Sequence, residues 1–206
     1  MYARLINILF RPETLGEVTN QFRSASTPMI ASHAGCTGIL ATTNVDSGRI
    51  YLLTLWDSAE HREASSVHPD FMQAMASYGK WMAGGFNRDS FDVIGETLRD
   101  FVPDNPHASA STRFTFITTE PDGWDTSLEA YARLLSPDAY AETGFQGVVL
   151  LANRVMNELV LIDLWETREQ MVNTDGIIFN TSHQLRMVGA IASVPTHDVV
   201  EAVVRV

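Results

Sequence analysis

A duplication constrains this chain more than any other feature. The string LWDSAE at Leu55–Glu60 returns as LWETRE at Leu164–Glu169, 109 residues further on, and that offset runs without a gap from Ala3/Thr112 to Arg62/Met171. Eleven of these roughly 60 pairs are identical, among them Arg4/Arg113, Pro28/Pro137, Gly35/Gly144, Asn44/Asn153 and Trp56/Trp165; ordinary residue frequencies give about three or four by chance. Further on the offset reads 108 at Phe71/Phe179 and 106 at Asp92/Asp198, the kind of slip that loop-length changes produce. A chain built this way must fold as two copies of one unit.

Each copy reads as strand, helix, strand, strand, helix, strand. YARLINILF and RFTFITT are strand-like runs stopped by Pro12 and Pro121, since proline cannot donate to a sheet and favours a helix start. Leu15, Val18, Phe22, Ala25 and Met29, and in the second copy Trp124, Leu128, Tyr131 and Leu135, keep helical spacing. Pro28 and Pro137 interrupt these helices and predict a kink or a restart. The turns DSG and VMN join the next two strands, and Asp57 or Ser58 and Thr167 mark helix N-caps. The fold class is therefore α+β, two tandem ferredoxin-like βαββαβ units with their helices on one face of an antiparallel sheet. Unit boundaries are expected at 1–100 and 112–206, with 101–111 a linker rich in proline and small polar residues. The face away from the helices carries Leu5 and Leu9 as well as Asn7, too apolar for water, so packing sheet against sheet in an internal pseudo-dimer is the expected remedy.

Composition narrows the function. With 45% hydrophobic and 19% charged residues, the 206-residue chain is expected to be globular. Its net charge of −11, from 25 acidic and 14 basic residues, repels nucleic acid. No apolar run approaches the roughly 18 residues that cross a bilayer. The single cysteine, Cys36, and a start without signal-peptide regions point to the cytoplasm.

The YAR start, RPE at Arg11–Glu13, a helical proline seven residues before GCTG or GFQG, and the repeated LW string resemble the antibiotic-biosynthesis-monooxygenase-like family of dimeric α+β barrels. The resemblance spans nearly the whole chain. It implies a barrel made by two units, here a monomer with an internal pseudo-dimer or a homodimer, and a small-molecule cavity between each sheet and its helices. It further implies cofactor-free oxidation of activated aromatic rings by O2. The family's oxygenases place an Asn four residues before a Trp on the third strand; Trp56 and Trp165 match the Trp, but Leu52 and Leu161 stand at the Asn position. Haem-degrading relatives carry an iron-ligating His four residues after a Phe, a spacing matched by Phe179 and His183; the first copy has Phe71 and Met75.

From the residues themselves, Trp56 and Trp165 are core side chains first and stacking surfaces for a flat substrate second. Asp163 shares a strand face with Leu161 and Trp165, where an acid must be paired or functional; it is either a general base or the partner of an arginine such as Arg113. His183 is the other acid–base candidate, and Asn7 could orient a substrate carbonyl. The pocket candidates are thus Trp56, Trp165, Asn7, Phe71, Met75 and Phe179, with Asp163 and His183 catalytic. The repeated pair Arg4 and Arg113 reads as a shared structural salt bridge rather than as twin anion sites. His33, His61, His68, His107 and His197 show no ligand spacing, and no metal site is expected. The leading expectation is a small-molecule protein acting as a cofactor-independent monooxygenase on an apolar aromatic or enolisable ring. The alternatives are a haem binder through His183 and a non-catalytic ligand-binding or assembly module.

Overall fold

The structure, a computed structural model, describes residues 1–97, 111–136 and 144–205, with the backbone alone from 199 onward. Residues 101–110 of the expected linker, Pro137 and His107 lie outside these. The first copy contains β1 (Tyr2–Phe10), α1 (Leu15–Gln21), α2 (Thr27–Ala31), β2 (Cys36–Asn44), β3 (Arg49–Trp56), α3 (Ala59–Ser66), α4 (Pro69–Tyr78) and β4 (Met82–Glu96). The second contains β5 (Ser111–Thr118), α5 (Trp124–Ala132), β6 (Phe145–Asn153), β7 (Glu158–Trp165), α6 (Arg168–Asn173), α7 (Asp175–Met187) and β8 (Thr196–Arg205). By its contacts the chain divides into Met1–Phe91 with Val200–Val206, and Asp92–Val199.

In the first unit β3 pairs antiparallel with both β1 and β2, and the end of β8 pairs with β2, Leu40 opposite Arg205. In the second unit β7 pairs with β5 and β6, and the end of β4 pairs with β6, Asp92 opposite Ala152. Each unit therefore takes the end of its outer strand from the other half of the sequence. The duplication extends to irregularities: a bulge between Cys36 and Gly38 recurs between Phe145 and Gly147. Before each bulge stands a glycine with positive φ, Gly35 at 76° and Gly144 at 93°. A Cβ at Gly35 would lie 2.2 Å from His61 Nδ1, and one at Gly144 2.3 Å from Gln170 Oε1, so glycine is needed both for the turn and for the approach of the following helix.

Alternation puts Ile6, Ile8, Ile50, Leu52 and Trp56 under the first sheet against its helices, and Ile117, Leu159, Leu161 and Trp165 under the second. The opposite face, with Leu5, Leu40, Tyr51 and Leu53, is buried too. In each unit a buried tyrosine and serine link the first helical segment to the second: Ser26 Oγ to Tyr78 Oη at 2.7 Å, and Tyr131 Oη to Ser182 Oγ at 2.9 Å.

Two details depart from the sequence reading. The segment joining α1 to α2, Phe22–Ser26, is π-wound, and Pro28 lies in the first turn of α2. The wider turn adds one residue, so the buried stripe moves from Ala25 and Met29 to Ser26 and Ile30. In the last helix, buried Ile178 and Leu185 repeat the seven-residue interval of Phe71 and Tyr78. The offset there is 107 rather than 108, and one residue of slip turns a helix face by about 100°. Of the helix caps, Ser58 Oγ accepts from His61 N at 3.1 Å, whereas Asp57 instead contacts the His61 ring at 2.6 Å; Thr167 and Gln170 form a full capping box.

Candidate functional site

The undersides of the two sheets hold the polar residues that could carry chemistry, and they hold them differently. In the second unit the register sets Arg113 directly opposite Asp163. Arg113 donates from Nε to Asp163 Oδ2 at 3.1 Å, and its Nη2 lies 3.0 Å from Asp163 Oδ1. The Trp165 indole N–H donates to the same Oδ1 at 2.5 Å. The far side of the guanidinium donates to Thr174 Oγ1 at 3.3 Å and pairs with Asp175 in the first turn of α7. Every face of this arginine has an acceptor, and three donors converge on the carboxylate. Burial pushes the Asp163 carboxyl above the ordinary range; the charge of Arg113 and the two donors pull the other way without reversing the shift. At 0% exposure Asp163 presents no lone pair to an incoming molecule. The structure thus realises the arginine pairing and not the general base.

His183 is not a buried acid–base group either. The slip in α7 turns it outward: its ring stacks on Phe179 with centroids 6.2 Å apart, and Phe179 is 64% exposed. The helix buries Ile178, Ser182 and Leu185 instead. A solvated helix face with one exposed aromatic does not offer the dry enclosure that haem ligation needs, so the residues around His183 do not fit a haem. Among the described residues no group of three or more His, Cys, Asp or Glu side chains is placed to hold a metal ion. Asn7 also leaves the expected site, because it alternates with buried Ile6 and Ile8 and so lies on the sheet face away from the helices, opposite Tyr51 in register.

The first unit keeps the remaining candidates together. Trp56 and Phe71 are buried in one core, and Met75 packs against it half-buried. Trp56 donates its indole N–H to Thr54 Oγ1 at 2.9 Å, the bond that Trp165 makes to Asp163. Opposite Thr54 stands Arg4. Its guanidinium lies 5.6 Å from the Trp56 ring centroid and 5.9 Å from that of Phe71. Arg4 is 2% exposed, and its Nη2 has no hydrogen-bond partner among the described residues. Burial, with the nearby charges of Arg88 and Arg62, lowers Arg4 to about 10 against the opposing pull of Glu63. His33 lies within reach of this charge: its Nδ1 shares a proton with Ser65 Oγ at 2.8 Å, while Nε2 is buried without a partner. Burial first, then His68 and last Arg4, hold His33 below the usual imidazole range against the opposing pull of Asp70.

The repeat led to an expected shared salt bridge for Arg4 and Arg113. Arg113 has it, and Arg4 has none among the described residues. The signal was present in the sequence, because the position that holds Asp163 in one copy holds Thr54 in the other. His33 carried no spacing signal, and only folding brings it near Arg4.

A ferredoxin-like βαββαβ unit, present twice and holding polar groups between sheet and helices, is the class that fold and site define. Residues 1–77 match the antibiotic biosynthesis monooxygenase family. Among solved structures, a candidate monooxygenase from Fusobacterium nucleatum superposes with a TM-score of 0.76 at 14% identity, covering 98% of this chain and 90% of that one. An anthrone oxidase-like protein gives 0.71 at 16% identity over 100% and 92%, and a candidate monooxygenase from Lactobacillus acidophilus gives 0.69 at 12% over 99% and 93%. These likenesses establish a shared two-unit fold. No match to the sequence is found among curated proteins. Among the described residues no helix is long and apolar enough to cross a membrane.

Proposed function

We propose that the protein binds a small aromatic or enolisable molecule and oxidises it as a cofactor-independent monooxygenase, with the first unit as the working unit. The observation that carries this reading is the difference between the copies: Arg113 is satisfied by Asp163, whereas Arg4 lies between two aromatic rings with a donor unused. In such a reaction solvent takes a proton from an acidic C–H of the substrate, whose oxygen takes up negative charge, and the proton returns in the water formed. A buried cation lowers the energy of that anion, and more strongly in a dry site than in water. The carbanion's electron pair then reduces O2. For anthrone the balance is one anthrone and one O2 giving one anthraquinone and one water. The family match to residues 1–77 falls on this same unit.

The solved relative described as anthrone oxidase-like makes anthrone a reasonable first substrate. Aerobic incubation in an oxygen electrode should show uptake of one O2 per quinone formed, faster than without protein. A rate equal to the protein-free control with both anthrone and 1,4-dihydroxynaphthalene removes the monooxygenase and leaves a binding protein.

A further inference from the structure

We propose that the underside of the first sheet at Arg4 is a binding site for one flat organic monoanion, an aromatic carboxylate, phenolate or enolate. Its charge would meet the guanidinium, and its ring would displace or slide against Trp56 and Phe71. The inference rests on the small-molecule reading above and adds the charge and shape of the ligand.

Four observations carry it. Arg4 is buried, yet among the described residues no carboxylate pairs with it and its Nη2 is unpartnered. A buried guanidinium is costly unless something neutralises it. Secondly, the second unit shows what neutralises an arginine at this register position: a carboxylate directly across the strand pair, at Asp163. Thr54 in the first unit brings no carboxylate to that position. A ligand carboxylate or enolate would supply from outside what Asp163 supplies from within. Thirdly, His33 Nε2 is a second buried nitrogen without a partner, close enough to Arg4 to feel its charge and fixed in orientation by Ser65. Fourthly, with Arg62 ion-paired to Glu63 at 3.1 Å, Arg88 remains as a second positive charge acting on Arg4. The rings of Trp56 and Phe71 favour an anion whose charge is spread over a π-system. A compact dianion such as phosphate would lose more hydration than one arginine restores.

Calorimetric titration of the full chain with 2-naphthoate, and with neutral 2-naphthamide, tests the site. One naphthoate per chain is expected to bind the wild type, with naphthamide at least tenfold weaker. Thr54→Asp gives Arg4 the internal partner that Arg113 has and should weaken naphthoate at least tenfold; Arg4→Met should do the same and serves alone if Thr54→Asp does not fold. Absence of naphthoate binding by wild type, equal binding of the amide, or undiminished binding in a folded variant overturns the proposal. Oxygen uptake measured in parallel separates the two readings. Oxidation indifferent to Thr54→Asp sinks this site and keeps the monooxygenase, whereas variant-sensitive naphthoate binding without oxidation does the reverse.

Discussion

The same substitution at two repeat-related positions should have opposite consequences. Arg113→Met removes the partner of a carboxylate that is 0% exposed and leaves Asp163 with the Trp165 N–H as its remaining donor among those described. Breaking a buried ion pair from one side costs about 3–5 kcal/mol; protonation of a carboxyl already pushed upward relieves part of this, which favours about 3 kcal/mol. For a chain of this length that corresponds to a fall in Tm of roughly 6–12 °C. Arg4→Met instead deletes a buried charge with no paired carboxylate among the described residues. Removing an unsatisfied polar group returns about 1–3 kcal/mol. Two cation–π contacts near the distance limit give up about 1–2 kcal/mol together. The net change lies within about 1 kcal/mol of wild type, or on the stabilised side. Thermal and urea unfolding followed by circular dichroism would measure both. An Arg4→Met variant that loses 3 kcal/mol or more, or an Arg113→Met variant indistinguishable from wild type, would refute the claim that one arginine is paired and the other is not.

Alkaline pH should expose the Tyr78–Ser26 link. Burial lifts the Tyr78 phenol to about 12 despite its bond to Ser26, so its contribution is intact below about pH 10, where the unfolded phenol begins to ionise, and is lost as pH rises through 12. At most about 2.7 kcal/mol rides on this shift; Tyr78→Phe should flatten that part of the pH–stability curve, and an unchanged alkaline slope would count against it. Thr167→Ala, which removes the hydroxyl of the capping box at α6, should cost about 1 kcal/mol in urea unfolding; no loss would mean the cap is frayed in solution.

The candidate site was only partly legible in the sequence. Trp56, Trp165 and Phe71 were identifiable because large apolar residues at strand and helix periods have one place to go, and the Arg113–Asp163 pair was named because a buried acid needs a cation. His183 and Phe179 were misplaced by a single residue of offset, which repeat alignment cannot resolve where loops change length but which rotates a helix face by about 100°. Asn7 stands with Leu5 on the face away from the helices, as strand alternation requires, and so does not join a pocket between sheet and helices.

By itself the sequence determined the two-unit α+β organisation, the order of elements, the proline and glycine punctuation and the helix caps, because these are local preferences repeated at a fixed offset. Tertiary structure alone decided the rest. It set which half of the sequence supplies the end of each unit's outer strand, since strand pairing is a long-range choice among edges of similar sequence. The π turn at Phe22–Ser26 likewise accommodates packing around Pro28 that no helical period encodes. And it decided that Arg4 meets no carboxylate among the described residues, because whether a buried charge is neutralised depends on the side chains that every neighbouring element brings to it, not on the strand that carries it.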